Sequence, residues 1–162
     1  MVLKARKHIE KHSEIMVAAS QDEITKITAY LDKVMSQGYF GKKEILEVQL
    51  AVEEACINII RHGYRGAEGT ILVMNDIEDD DLKVTIEDRA RRFDPTQFEK
   101  PTFVDNVDNR PLGGLGIHLL RSLVDESRYE YQEGKNRLIL IKIQEKKILT
   151  PNLKLDVNTT KK

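Results

Sequence analysis

The chain has 162 residues, of which 40% are hydrophobic and 33% charged, and its formal net charge at pH 7 is −1. This length suffices for one domain with a core, and the balanced charge gives no global reason to expect direct binding to nucleic acid or to a membrane. A single cysteine, Cys56, excludes an internal disulfide and is consistent with a reducing compartment.

The first residues contain no apolar stretch that would serve as a signal peptide, and no run approaches the roughly 20 apolar residues of a membrane span. We therefore expect a cytoplasmic protein without a membrane segment. We expect a single domain over residues 1–145. Residues 146–162 carry little apolar periodicity, which predicts a flexible tail.

A strand and two helices are predicted first. Residues 13–20 read as a short strand. Ser20 and Glu23 have the spacing of a capping box, which predicts a helix that continues to Gly38. A second helix is predicted over residues 42–62, ending at a glycine, and its apolar side chains cover much of its circumference. Such a pattern is typical of a helix that is buried on more than one side.

A hairpin and an irregular segment follow. Residues 70–77 and 82–88 alternate as two strands joined by an acidic turn. Residues 89–112 contain three prolines and show no regular pattern. An irregular segment of this length in a compact domain is uncommon unless it is a functional lid or disordered.

The last predicted elements are a helix and a second hairpin. Glycines within residues 113–116 open a helix to about residue 124, and strands follow over residues 127–132 and 137–143. Because hairpins pair their strands in antiparallel fashion, the order of elements predicts a two-layer α/β sandwich. In this sandwich, helices cover one face of a mixed, mostly antiparallel sheet.

Two polar side chains of the long helix are candidates for chemistry. Glu54 and Asn58 are four residues apart, so they lie on one helix face. An amide oxygen suits Mg²⁺, and a carboxylate can orient a hydroxyl nucleophile or accept its proton. The alternative is an ordinary solvated helix face, which is the commoner role of such residues.

Asp88 and the glycine cluster are the other candidates. Asp88 shares strand parity with three apolar residues, so it is expected on the buried side, where a carboxylate can accept a hydrogen bond from a purine amino group. A fraying strand end is the alternative. Glycines before a helix let the backbone approach phosphates, but they also make ordinary turns.

Taken together, the motifs resemble the GHKL family of ATP-binding domains, in particular the bacterial anti-sigma-factor serine/threonine kinases. Residues 53–64 (EEACINIIRHGY) look like the N-box of that family. Residues 86–88 (IED), with a following FDP at 93–95, look like the aspartate box. Residues 113–117 (GGLGI) are similar to the second glycine box, and residues 134–138 (GKNRL) resemble the turn into the last strand.

The resemblance implies a GHKL (Bergerat-type) fold that binds ATP and Mg²⁺. Glu54 would be the general base, Asn58 would bind the metal ion, and Asp88 would receive the adenine amino group. Arg110, at the far end of the predicted lid, is expected to reach the triphosphate. The residues implied in ATP binding are Asn58, Asp88, Ala90, Phe93, Arg110, Gly113, Gly114, Leu115, Gly116 and Ile117.

The resemblance also implies a function. Similar proteins hold a sigma factor inactive, phosphorylate an antagonist (anti-anti-sigma) protein on serine or threonine, and work as homodimers. Two alternatives remain: a non-catalytic or weakly ATP-binding module that sequesters a partner, and the ATP-binding domain of a histidine kinase. No nucleic acid or membrane partner is expected.

One departure from the family pattern affects the predicted pocket. Ala90 and Arg92 stand where the aspartate box usually has glycines. Alanine adds a methyl group and resists positive φ. The sequence therefore predicts a shallower adenine pocket or a different turn, and this departure motivates the alternative of a binding module.

Overall fold

The computed structural model describes residues 11–38, 40–78, 81–97 and 114–144. Within these ranges α2 continues directly into a π-helical turn, Ile59–Tyr64, and short 3₁₀ turns cover Gln21–Glu23 and Pro95–Gln97. The described helices are α1 (Ile24–Gln37), α2 (Lys42–Asn58) and α3 (Gly114–Leu123). The described strands are β1 (Lys11–Ala18), β2 (Thr70–Glu78), β3 (Asp81–Asp88), β4 (Glu126–Gln132) and β5 (Lys135–Lys142).

These strands form one sheet in the order β1-β2-β3-β5-β4. All four pairings are antiparallel, so the described sheet is antiparallel throughout, although a mixed sheet was expected. The reason is the insertion of β5 between β3 and β4. Strand β4 runs in the same direction as β3, but it never pairs with it. The predicted α/β class is confirmed.

The core lies between the helices and one face of the sheet. Strand alternation directs Val17, Val73, Val84 and Leu140 to this face, where each is at most 6% exposed. Helix α2 packs against both α1 and α3, and it buries Ala51, Val52 and Cys56 completely. The prediction of a helix buried on more than one side is therefore confirmed.

The predicted helix starts need one correction. Ser20 makes no side-chain capping hydrogen bond, and the Glu23 carboxylate instead accepts from Lys26 Nζ at 2.8 Å, so the expected capping box is wrong. The carboxylate is satisfied by a cation one turn further along the helix. At the start of α2, by contrast, Glu44 Oε2 accepts from the Gly41 N–H at 2.6 Å.

The end of the long helix also differs from the prediction. The helical path continues through Gly63 to Tyr64, and Arg65 and Gly66 then take left-handed conformations with φ of 53° and 87°. Widening of the last turn lets the helix pass the glycine that was expected to end it. Both predicted hairpins are confirmed within one or two residues at each end. Most of the predicted lid and the whole predicted tail lie outside the described residues.

Candidate nucleotide-binding site

A cleft with about 440 Å³ of open volume lies between α2, the end of β3 and the β4–β5 hairpin. Three residues predicted to bind a ligand line it together: Asn58, Asp88 and Phe93. Its apolar wall is formed by Ala55, Ile59, Pro95, Leu120 and Leu138.

Asp88 is 5% exposed and lines the cleft, on the helix-facing side that its strand parity predicts. Its Oδ1 accepts hydrogen bonds from the Ala90 N–H (2.8 Å) and from Asn136 Nδ2 (2.9 Å). Within the described part of the chain, no donor contacts Oδ2. Burial raises the pKa of the Asp88 carboxyl, and the hydrogen bonds from Asn136 and Ala90 oppose this shift without cancelling it. A buried carboxylate with a spare acceptor in a cleft is suited to bind a ligand N–H.

Asn58 is the last residue of α2 and is 9% exposed. Its Nδ2 is buried and has no hydrogen-bond partner in the described part of the chain. Immediately after it the helix widens, and the Arg65 N–H donates to the carbonyl of Ile60 at 3.1 Å, five residues back. Such π-turns occur frequently at functional sites. A buried NH₂ donor without a partner at the cleft is suited to bind an acceptor atom of a polar ligand.

Glu54 lies one turn before Asn58, and its side chain is half-buried. It does not line the cleft but extends toward the start of α3. A Cβ atom added at Gly116 would collide with Glu54 Oε2. The flexible end of the Glu54 side chain therefore lies directly against this glycine, and Glu54 and the predicted glycine box meet in space.

Some of the other predicted ligand residues are described by the structure, and some are not. Ile117 is 2% exposed and packs inside the domain without lining the cleft. Gly114 and Leu115 begin α3. Arg110 and Gly113 lie outside the described residues. The roles assigned to all of these residues remain predictions.

Ala90 and Arg92 do not occupy the cleft. The non-glycine residues with positive φ in the described ranges are Arg65 and Glu133, so the turn after Asp88 does not need the backbone freedom of glycine at position 90. A Cβ atom added at Gly63 would lie 2.7 Å from Ala90 Cβ, so the alanine methyl packs where Gly63 leaves room. The Arg92 guanidinium lies 5.1 Å from the centre of the Tyr131 ring. The described cleft is therefore open despite both substitutions.

Sequence reasoning did not assign two polar residues of the cleft, Tyr129 and Asn136. Asn136 is 4% exposed and shares strand parity with Leu138 and Leu140. A polar residue at an inward position of an apolar strand is the signal that identified Asp88. The same signal was present at Asn136, but the segment was interpreted only as a turn.

In the described ranges, no helix is long and apolar enough to cross a membrane. The same ranges contain no group of three or more histidine, cysteine, aspartate or glutamate side chains that would hold a metal ion. The predicted magnesium site differs from such a cluster, since it consists of a single amide. Mg²⁺ is commonly held by few protein ligands together with the phosphates of the substrate.

The antiparallel sheet with helices on one face, and a cleft bounded by the long helix and a buried aspartate, define an ATP-binding domain of the GHKL class. The family model described as "Histidine kinase-like ATPase domain" matches residues 17–142. The chain therefore belongs to the histidine kinase-like ATPase domain family, as its motifs led us to expect.

Among similar curated proteins are several that are named serine-protein kinases. The chain is 26% identical over 144 residues to the serine-protein kinase RsbW of Bacillus cereus (strain AH187), covering 83% of this chain and 87% of that protein. It is 29% identical over 128 residues to the serine-protein kinase RsbW of Bacillus pumilus (strain SAFR-032), covering 75% and 79%.

A solved structure has the same fold. The crystal structure of RsbU and RsbW domains from Mycobacterium tuberculosis superposes with a TM-score of 0.59 at 18% identity. The match covers 83% of this chain and 32% of that longer chain. At this identity the likeness concerns the fold alone.

Proposed function

We propose that this chain is an Mg·ATP-dependent protein serine/threonine kinase that acts as an anti-sigma factor or a similar partner-switching regulator. Its substrate would be an antagonist protein, phosphorylated on serine or threonine. The observation that carries the proposal is the cleft in which Asp88 and Asn58 meet, with Glu54 beside it against Gly116. The names of the RsbW relatives support serine as the accepting residue.

Asp88 and Asn58 would divide the recognition of the nucleotide between them. The free Oδ2 of Asp88 would accept from the adenine amino group, and the apolar wall would cover the faces of the base. The amide oxygen of Asn58 would be a ligand to Mg²⁺. Bound Mg·ATP would supply the phosphoryl group, and its Mg²⁺ would neutralise negative charge in the transition state.

Glu54 would hold the proton that the attacking hydroxyl releases. Its carboxylate lies near the start of α3, where the glycine-box amides of Gly114 and Gly116 would face phosphate. A carboxylate in reach of a hydroxyl in this position is a general base. Proton transfer would therefore occur beside the cleft, and the adenine ring would be recognised inside it.

The partners belong to the same proposal. A sigma factor would be held inactive by binding to this chain, and the antagonist would be the phosphorylated protein. We further propose that the chain works as a homodimer in the cytoplasm, without direct contact to nucleic acid or membrane. The near-neutral net charge of −1 supports the exclusion of nucleic acid.

Phosphoryl transfer from γ-labelled ATP to individually purified candidate antagonists tests the proposal. We expect acid-stable label on serine or threonine of one antagonist. Glu54→Gln should reduce the transfer rate by roughly 10²–10⁴-fold, because it removes the base without changing the size of the side chain. Glu53→Gln, at the neighbouring position of α2, is the matched control and should transfer phosphate at a rate close to wild type.

Two outcomes would contradict the assignment. Wild-type transfer by Glu54→Gln would show that Glu54 is not the base. Binding of Mg·ATP without label on any candidate that the chain binds would favour the sequestering module, and acid-labile label on histidine would favour the histidine-kinase alternative.

A further inference from the structure

Asn136, at the start of β5, lines the cleft and makes hydrogen bonds to several other residues around it. Its Nδ2 donates to Asp88 Oδ1 at 2.9 Å and to the carbonyl of Ala90 at 3.1 Å. Its Oδ1 accepts from the Tyr129 hydroxyl at 2.6 Å and, at 3.4 Å, from the N–H of Phe93. The side chain therefore joins β3, the turn that follows β3, and β4.

The partners fix which way the amide points. Nδ2 faces the Asp88 carboxylate and the carbonyls of Ala90 and Arg91, whereas Oδ1 accepts from the Tyr129 hydroxyl and the Phe93 N–H. Turning the amide over would oppose its oxygen to the Asp88 carboxylate and the Ala90 carbonyl, and its NH₂ group to the Phe93 N–H. Because the group is 4% exposed, water would not compensate for the lost hydrogen bonds.

The fixed amide of Asn136 in turn fixes the orientation of the Asp88 carboxylate. Asn136 Nδ2 and the Ala90 N–H both bind Oδ1, so rotation of the carboxylate would break two hydrogen bonds. Oδ2 is left as the acceptor available to a ligand. Burial raises the pKa of the Asp88 carboxyl, and donation from Asn136 opposes this rise. The amide thus favours the ionised, acceptor-only form of the carboxylate.

We propose that Asn136 is a positioning residue that determines specificity: by holding Asp88 Oδ1, it makes Oδ2 an acceptor that selects a purine with an amino group over a purine with a carbonyl at the same edge. This inference rests on the proposed function, since it concerns the base recognised by the same cleft. A carbonyl opposite an ionised Oδ2 would meet like charge. A protonated Asp88 carboxyl would donate to that carbonyl, and the cleft would then tolerate either purine.

The test compares equilibrium binding of ATP and of inosine triphosphate, which carries a carbonyl in place of the amino group, to the full chain with Mg²⁺. The wild type should prefer ATP by on the order of 100-fold, the cost of one unpaired or opposed buried polar contact. Asn136→Leu, similar in size but without a donor, should reduce the preference below about 10-fold. The preference should fall because the affinity for ATP decreases, while the affinity for inosine triphosphate should stay the same or increase.

Asn75→Leu is the matched control. Asn75 is also an inward-facing asparagine, on β2, with 0% exposure, and both polar atoms of its amide lack a partner in the described part of the chain. The same substitution at this position should leave the nucleotide preference unchanged. A merely structural role of Asn136 would lower both affinities together and preserve their ratio, and that result would overturn the proposal.

Tyr129→Phe provides a second test if Asn136→Leu does not fold. It removes the hydroxyl that holds Asn136 Oδ1, so the preference should fall by roughly threefold or more. An unchanged ratio in a folded Tyr129→Phe variant would overturn the inference. Failure of the wild type to bind Mg·ATP would overturn the proposed function itself. Wild-type binding without preference would overturn the present inference alone.

Discussion

Glu87 and Asp88 are adjacent carboxylates whose surroundings differ because strand alternation sends them to opposite faces of the sheet. Asp88 faces the cleft without a cationic partner in the described ranges. Glu87, 9% exposed, is held by Lys135 at 2.9 Å and Arg137 at 2.8 Å. Burial opposes ionisation of Glu87, but the hydrogen bonds and charges of both cations outweigh it and lower its pKa. One carboxylate is therefore structurally satisfied, and its neighbour is free for a ligand.

Glu87→Gln should lower the free energy of unfolding at pH 7 by about 1–2 kcal/mol, because it removes charge-assisted hydrogen bonds to partly exposed cations. Since the folded-state pKa of Glu87 lies below its ordinary value of 4.5, the contribution is present above about pH 4.5. It is lost as the pH falls through the folded-state pKa. Urea unfolding at a series of pH values measures the difference between the two proteins.

Glu126→Gln is the control for this prediction. Glu126, on the edge strand β4, pairs with Arg128 while its own side chain is 51% exposed. Its substitution should change stability by less than about 0.5 kcal/mol at any pH. A Glu87→Gln deficit that stays constant down to pH 3 would mean that the ionised carboxylate is not what stabilises the fold.

At the scale of elements, the important junction joins the end of α2 to the turn after β3. The Tyr64 hydroxyl donates to the Thr70 carbonyl at 2.9 Å and accepts from the Arg89 N–H at 3.1 Å. One step before it, Gly63 faces the methyl group of Ala90. The π-helical turn therefore contacts both the start of β2 and the residues that orient Asp88.

Gly63→Ala should destabilise the chain by about 1–3 kcal/mol, because the new methyl would lie 2.7 Å from Ala90 Cβ. Ala90→Gly removes the clash, so the double variant should recover about 1–2 kcal/mol relative to additivity. Urea unfolding of the two single variants and the double variant gives this coupling energy. Strict additivity would show that the two residues do not compete for the same space.

At the scale of the whole molecule, the cleft lies where the two layers meet. Asn58 belongs to the helical layer, and Asp88 and Asn136 belong to the sheet. A ligand that contacts both layers binds the folded chain but not the unfolded chain. The reason is that these residues are far apart in sequence and come together only through folding. Ligand binding should therefore stabilise the entire domain by linkage.

Mg·ATP at 100 times its dissociation constant should add about 2.7 kcal/mol to the free energy of unfolding. For a domain of this size that corresponds to a rise of about 5–10 °C in the midpoint of thermal unfolding. Asp88→Asn and Asn58→Ala should reduce the rise, since each removes one of the predicted contacts. Asp76→Asn, on the opposite face of the sheet, should keep it. An unchanged rise in both cleft variants would place the nucleotide elsewhere.

Much of the fold was predictable from local patterns. Alternation located the two hairpins, and the apolar coverage of the long helix predicted its burial, because period and polarity are properties of each segment by itself. The resemblance of residues 53–64, 86–88 and 113–117 to known motifs also predicted which family the chain belongs to.

Other features depend on contacts between distant segments. The sequence determined that Ala90 replaces a usual glycine, but tertiary structure decided that its methyl packs against Gly63 and leaves the cleft open. The sequence likewise contained Asn136 in a segment that reads as a turn. Its role at Asp88 depends on β5 lying beside β3, which places residues 48 apart in sequence within hydrogen-bonding distance. Local patterns determine the elements, whereas the partners of a buried polar group are fixed only when the strands assemble.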